Sequence, residues 1–188
     1  MKQIAIFASG SGTNAQRIAT YFKDSDKVKI NRIYSNKPDA YVLNRAKNLN
    51  IPTTVFTRDD FYHTDKILNQ LIKEKTDLIV LAGFLWLVPD NILIAFPDRI
   101  INIHPALLPK YGGKGMYGNR VHEAVISSGD KKSGITIHYV NERYDEGKII
   151  FQATCPVVPD DTPETLAAKV HQLEYKYYPE VIENILTG

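Results

Sequence analysis

Asn102 and His104 lie two residues apart in the run Ile101–Pro105, and both side chains can donate a hydrogen bond to a carbonyl oxygen on which negative charge develops. In an extended strand, residues two apart project from the same face. An asparagine amide donates a hydrogen bond to a carbonyl oxygen, and a protonated histidine does the same while adding positive charge. We therefore predict that Asn102 and His104 form an oxyanion site for acyl transfer.

Asp145 is the candidate partner of this pair. It lies in the polar run Asn141–Gly147, between two apolar segments that are predicted to be antiparallel strands. A carboxylate beside an imidazole raises the imidazole pKa and favours the charged, donating form. Aspartate is also common in tight turns for conformational reasons alone. The sequence therefore leaves open whether Asp145 reaches His104.

The turn Ser9–Asn14 predicts a phosphate site. It joins an apolar strand to a helix, and the free N–H groups at a helix N-terminus favour an anion. The turn is not a complete GxGxxG, because Ala15 takes the third glycine position, and no GK[ST] follows. No acidic residue ends the second predicted strand, where a dinucleotide ribose would be held. A phosphorylated small molecule is favoured over NAD, and a plain tight turn is the alternative.

The remaining histidines are weaker candidates. His171 and Glu174 lie three residues apart on a predicted helix, so they share a face. His122 lies on a predicted helix after the glycine-rich loop and could face the site. We expect His63 to be a surface residue and His138 to alternate in a strand as a structural residue.

The composition is that of an ordinary globular protein. Of the 188 residues, 44% are hydrophobic and 23% are charged. The net charge is +2, and no run of basic residues is longer than the pair Lys131-Lys132, so a nucleic-acid partner is not indicated. One cysteine, Cys155, is expected to be a buried strand residue, and no CxxC or HExxH spacing indicates a metal site. No signal peptide or membrane-length apolar stretch is found. We expect a cytoplasmic enzyme that acts on small molecules, without nucleic-acid or membrane partners.

Hydrophobic periodicity predicts an α/β fold: a single Rossmann-like doubly wound domain over residues 1–188. Strands are predicted at 3–8, 28–34, 51–56, 77–82 and 99–103, and helices at 15–23, 39–49, 59–75, 89–96 and 119–128. Strands at 134–140 and 148–158 are separated by a connection too short for a parallel crossover, so they form an antiparallel C-terminal pair. A long helix over 162–186, capped by Asp161 or Thr162, completes the mostly parallel sheet.

Several segments together resemble the folate-dependent formyltransferases, and among them the phosphoribosylglycinamide formyltransferases. The resemblance covers essentially the whole chain. The Asn-x-His-Pro run followed by Leu-Leu-Pro is typical of folate formyl transferases and hydrolases, and the Ser-Gly-Ser-Gly-Thr-Asn turn favours the glycinamide branch. The matching segments are Phe7–Asn14, Tyr34–Lys37, Val80–Phe84, Ile101–Tyr111 and Tyr144–Gly147.

The resemblance implies a role for each matching position. Catalysis would fall to Asn102, His104 and Asp145. The phosphoribosylglycinamide substrate would be bound by Gly12, Thr13, Asn14, His171, Gln172, Leu173 and Glu174. The folate would be bound by Arg58, Leu85, Trp86, Leu87, Val88, Asn102, Asn141, Glu142, Arg143, Tyr144 and Asp145. The implied co-substrate is 10-formyltetrahydrofolate, with no metal and no NAD, and the implied assembly is a monomer or a homodimer.

Two positions depart from the family pattern: Ala106 replaces a common serine, and Trp86 stands where an arginine or another long side chain is common. The resemblance implies that the Leu108-Pro109 bond is cis. The alternatives are a formyltetrahydrofolate hydrolase, which usually has an N-terminal regulatory domain, and a methionyl-tRNA formyltransferase, which needs a further C-terminal domain and a basic surface. A non-catalytic nucleotide-binding module is a third alternative, since fold alone does not define function.

Overall fold

A computed structural model describes all residues, 1–188. Seven strands form one sheet in the order β3-β2-β1-β4-β5-β6-β7. The strands are β1 (Lys2–Phe7), β2 (Val28–Ser35), β3 (Thr53–Val55), β4 (Leu78–Leu81), β5 (Ile100–His104), β6 (Lys132–Tyr139) and β7 (Ile149–Pro156). The first five run parallel, whereas β6 is antiparallel to both β5 and β7. This confirms the predicted mostly parallel sheet with an antiparallel C-terminal addition.

Helices cover both faces of the sheet, as expected for strands that are apolar throughout. They are α1 (Thr13–Tyr21), α2 (Val42–Asn48), α3 (Arg58–Tyr62), α4 (Lys66–Lys73), α5 (Asp90–Ala95), α6 (Asn119–Ser128) and α7 (Pro163–Thr187). One face buries an aliphatic core that includes Ile4, Val80 and Ile101. The other face buries a cluster rich in aromatic rings, in which Phe7 stacks on Tyr34 at 4.6 Å between ring centroids.

The single helix predicted over 59–75 is wrong, because the segment forms two helices, α3 and α4. Thr64 interrupts the helix: its hydroxyl donates to the carbonyl of Asp60 at 2.9 Å and accepts from the backbone N–H of Lys66 at 3.3 Å. A side chain that satisfies backbone groups in this way competes with the helical ladder. After the break Ile67 and Leu71 are buried, but Ile72, predicted to point inward, is 56% exposed.

Helix α7 is fixed at its start and at its middle. Thr162 accepts the N–H of Thr165 in a reciprocal capping box, and Pro163 takes the first helical position. Further along, the Tyr178 hydroxyl donates to the carbonyl of Leu81 at the end of β4, at 2.8 Å. These contacts hold the intervening turns of α7 beside the carboxyl edge of the parallel strands.

Two smaller expectations have clear outcomes. The Leu108-Pro109 peptide bond is cis. Cys155 lies on the edge strand β7 and is half-buried rather than fully buried, because its strand has a neighbour on one side only. No helix is both long and apolar enough to cross a membrane.

Candidate active site

The three predicted catalytic side chains meet where β5 ends. Asn102 and His104 lie on β5, and Asp145 reaches them from the loop between β6 and β7. Nδ1 of His104 is 3.5 Å from Oδ2 of Asp145, and the two side chains are only 4% and 9% exposed. The backbone of Asp145 has a φ of 58°, in the left-handed region that aspartate tolerates better than most residues. The contact that the sequence left open is therefore present.

A fourth side chain, His138, joins this group. Strand β6 pairs with β5 so that His138 lies directly opposite Asn102. Its Nε2 is 3.3 Å from Nδ2 of Asn102 and 3.6 Å from Oδ1 of Asp145, and it is 2% exposed. Its Nδ1 donates to the Tyr139 carbonyl at 2.8 Å. The structural interpretation of His138 missed this placement, because only the strand register reveals it.

His104 is buried, and burial decides the direction of its pKa. Desolvation lowers the pKa of His104 below its usual value, and this outweighs the nearby charge of Asp145, which raises it. Asp145 therefore acts on the His104 pKa in the expected direction, but burial has the larger effect in the site without ligands. Burial also raises the pKa of the Asp145 carboxyl, but the neighbouring rings of His138 and His104 and the N–H of Gly113 outweigh it and keep this pKa below the usual value.

The main chain after β5 also contacts these groups. Nε2 of His104 lies 2.7 Å from the carbonyl oxygen of Tyr111. A carbonyl only accepts, so this nitrogen carries the proton and donates it. Two residues later, the backbone N–H of Gly113 donates to Oδ2 of Asp145 at 3.0 Å.

The glycine turn lies at the N-terminus of α1. Gly12 has a φ of 76°, and a Cβ there would lie 2.3 Å from Cγ2 of Val42, so only glycine fits. The first turn of α1 holds no acidic residue, which leaves its N–H groups suited to an anion. Thr13 and Asn14 follow, and Nδ2 of Asn14 donates to Glu174 at 3.0 Å while its Oδ1 is buried without a partner.

Helix α7 presents one face to this turn. Oε2 of Glu174 lies 3.0 Å from Nδ1 of His171, and this hydrogen bond raises the pKa of His171. Gln172 and Leu173 do not line the cavity: Gln172 is exposed and Leu173 packs against the aliphatic core. Residues one and two positions after His171 point away from its face, so a side-chain contact with the substrate is not expected for them, and their predicted substrate role stays a prediction.

A cavity of about 730 Å³ connects the glycine turn to the catalytic group. This volume is typical of small-molecule sites. Buried His122 also lines it, as the sequence allowed, and the Nδ1 of His122 has no partner. The lining that matters for chemistry comprises Ser9–Asn14, Leu85, Asn102–Pro105, Gly113–Arg120, His122, Tyr144, Asp145, His171 and Glu174.

The predicted folate residues divide into three groups. Leu85 and Tyr144 line the cavity, and the Tyr144 hydroxyl donates to the Leu85 carbonyl at 3.2 Å. Leu87, Val88 and Glu142 instead line a neighbouring depression of about 550 Å³.

The side chains of the other four predicted folate residues line neither the cavity nor the depression; these residues are Arg58, Trp86, Asn141 and Arg143. The Arg58 guanidinium lies over the Trp86 ring at 5.3 Å. Asn141 accepts the N–H of Arg143 at 3.0 Å, and the Arg143 side chain pairs with exposed Glu146. These contacts engage the side chains, whereas the resemblance implies folate contacts from the backbone of these segments, so their folate role stays a prediction.

Comparison with known proteins defines the class. The model of the formyl transferase family matches residues 2–182, so the chain belongs to that family. Within it, the chain is 42% identical to a phosphoribosylglycinamide formyltransferase of Haemophilus influenzae, over 100% of this chain and 89% of that protein. It is also 42% identical to the chloroplastic enzyme of that name from Arabidopsis thaliana, over 96% of this chain but only 64% of the relative.

Solved structures agree with this assignment. A phosphoribosylglycinamide formyltransferase from Coxiella burnetii superposes with a TM-score of 0.90 at 37% identity, covering 100% of this chain and 88% of that one. The enzyme of that name from Streptococcus pneumoniae superposes with a TM-score of 0.87 at 36% identity, covering 100% of both chains.

Proposed function

We propose that this protein transfers the formyl group of 10-formyltetrahydrofolate to the amine of N1-(5-phosphoribosyl)glycinamide, a step of purine biosynthesis. The observation that carries the proposal is the buried group of Asn102, His104 and Asp145 at one end of a cavity whose other end is a helix N-terminus without acidic residues. An oxyanion site and an anion site in one cavity suit acyl transfer to a phosphorylated acceptor.

The acceptor end is supported by the network around Glu174. This carboxylate is 5% exposed and is approached by Asn14 and His171. A buried carboxylate beside donors suits the hydroxyls of a ribose, while Gly12 and Thr13 offer backbone N–H groups to the phosphate. We therefore assign Gly12, Thr13, Asn14, His171 and Glu174 to the phosphorylated substrate.

The reaction begins when the neutral amine attacks the formyl carbon. A C–N bond forms, the carbonyl becomes an oxyanion, and the attacking nitrogen becomes positive. One N–H of Asn102 is directed at His138, and its second N–H is the direct donor to the oxyanion. Preorganised donors of this kind typically contribute about 3–4 kcal/mol each.

His104 contributes mainly as a charge. Its Nε2–H is engaged by Tyr111 and its Nδ1 faces Asp145. The negative charge that develops on the oxyanion opposes the effect of burial and favours the protonated ring. Because burial alone lowers the pKa, the ring takes up a solvent proton on Nδ1 as the oxyanion forms and returns it to solvent as the oxyanion collapses.

Asp145 moves the proton. Its lowered pKa keeps it ionised near neutral pH, so it accepts a proton from the attacking nitrogen through water and holds it only weakly. The proton then passes to N10 of the folate as the C–N10 bond breaks. The oxyanion collapses to a carbonyl, which leaves the formylated amine and tetrahydrofolate.

The folate is proposed to enter along Leu85 and the loop Asn141–Asp145, where backbone groups line the way to Asn102. The hydroxyl of Tyr144 joins this loop to the Leu85 carbonyl. A hydrolase would need only this half of the cavity. The separate network at Glu174 favours transfer to an acceptor over hydrolysis.

The test is to mix the protein with glycinamide ribonucleotide and a 10-formylfolate and to follow folate absorbance and product mass. Folate release that depends on the ribonucleotide supports the proposal. Release without it indicates a hydrolase, and no release with active substrates contradicts an enzyme of either kind. The Asn102→Ala variant is the control for contaminating activity.

Three further expectations are carried as proposals. Residues 1–188 act as one formyltransferase domain, the protein works in the cytoplasm, and it is a monomer or a homodimer. The chain spans 64% of the length of the Arabidopsis relative and 60% of that of a relative from Vigna unguiculata. The activity of a whole protein of this kind is therefore also a proposal.

A further inference from the structure

We propose that Tyr111 is a positioning residue for the His104–Asp145 pair, acting through its main chain. The segment 111–113 contacts both members of the pair. The Tyr111 carbonyl accepts the Nε2–H of His104 at 2.7 Å, and the Gly113 N–H donates to Asp145 at 3.0 Å. The inference rests on the proposed function, because it concerns the same site.

The carbonyl decides which tautomer of His104 is present. A neutral imidazole carries one proton, and the Tyr111 oxygen requires it on Nε2. The free lone pair is then on Nδ1, 3.5 Å from Asp145, which is where a second proton would be shared. Without this carbonyl, Asp145 would draw the only proton to Nδ1 and leave Nε2 bare.

The phenol of Tyr111 is what holds this carbonyl in place. Tyr111 has a φ of 57°, which is uncommon for a bulky residue, and the segment after it is rich in glycine. Its hydroxyl donates to Oδ2 of Asp130 at 2.6 Å and lies 2.5 Å from Oγ of Ser128. Both partners lie at the end of α6 or just beyond it, outside the cavity lining.

Asp130 and Ser128, the two partners of the Tyr111 hydroxyl, are held by further contacts. Lys110 contacts the Asp130 carboxylate at 3.1 Å, and the Ser128 hydroxyl donates to the Val125 carbonyl at 2.7 Å. Next in the chain, Gly112 packs against the Leu108 side chain, where a Cβ would lie 2.5 Å from Cδ2. A helix end away from the cavity thus sets the geometry inside it.

The test is Tyr111→Phe, which keeps the ring and removes only the hydroxyl. We expect kcat to fall about tenfold while both KM values stay within about twofold, because a group that acts on the reacting pair affects turnover rather than binding. Long-range ¹H–¹⁵N NMR of the histidines, with His104 assigned by its loss in His104→Gln, should show that the Nε2–H form gives way to a mixture. The matched control is Tyr21→Phe, which removes a phenol–carboxylate hydrogen bond of the same 2.6 Å length to Glu183, away from the cavity.

An unchanged His104 tautomer in folded Tyr111→Phe would overturn the proposal, whatever happens to turnover. If that variant does not fold, Asp130→Ala removes the acceptor from the other side and is expected to give the same NMR change. The NMR result does not depend on the substrate. A changed tautomer in a protein that does not formylate glycinamide ribonucleotide would therefore support the positioning role and refute only the proposed function.

Discussion

Replacing Asp145 with asparagine removes one buried charge with almost no change in shape. The carboxylate lies 3.5 Å from Nδ1 of His104 and 3.6 Å from Nε2 of His138, and its side chain is 9% exposed. At an effective dielectric constant of about 20, a charge pair at this distance interacts by about 4–5 kcal/mol. If the protonated His104 forms only in the transition state, this loss corresponds to about a thousandfold fall in kcat.

The assay is folate release under saturating substrates, with thermal unfolding measured in parallel. The asparagine oxygen can still accept the Gly113 N–H, so the fold should be kept. The control is Asp77→Asn. Asp77 also accepts a backbone N–H, from Gln3 at 2.7 Å, but it lies just before β4, at the amino-terminal end of the parallel strands and away from the site. A folded Asp145→Asn enzyme with turnover within about threefold of wild type would refute the reasoning.

Three other outcomes are expected. Asn102→Ala should lower kcat by about a hundredfold to a thousandfold with little change in Tm, because it removes an oxyanion donor. Gly12→Ala should cost about 1–3 kcal/mol of folding free energy, measured by denaturant unfolding, because the added Cβ clashes; Gly10→Ala, whose Cβ would meet nothing within 4 Å, is its control. The His171 pKa is raised above 6.5, mainly by its hydrogen bond to Glu174. Its contribution to stability is therefore complete below pH 6.5 and is lost as pH rises through the raised value, and an NMR titration of Glu174→Gln should show the His171 pKa falling back.

Local patterns in the sequence were enough to predict most of the fold and the reacting side chains. Asn102 and His104 follow from a spacing of two on a strand, and the direction of β6 follows from the short connection before β7. These features depend on near neighbours in the chain. The break at Thr64 was missed because a hydroxyl that satisfies backbone groups leaves no mark in hydrophobic periodicity.

What depends on long-range geometry was missed or misjudged. The placement of His138 beside Asn102 needed the β5–β6 register, which no local pattern reveals. The net direction of the His104 pKa shift could not be predicted, because a sequence shows the carboxylate near an imidazole but not how deeply the ring is buried.

The hydrogen bond between Asn14 and Glu174 has a consequence for how the protein acquires activity. It joins residues separated by 160 positions, and Tyr178 meets Leu81 across 97. Contacts between residues so distant in the chain form slowly, because the chain loses the entropy of closing a long loop before the contact contributes any stabilising free energy. During refolding, recovery of catalysis should therefore lag behind recovery of helical circular dichroism, with docking of α7 as the step that makes the cavity competent.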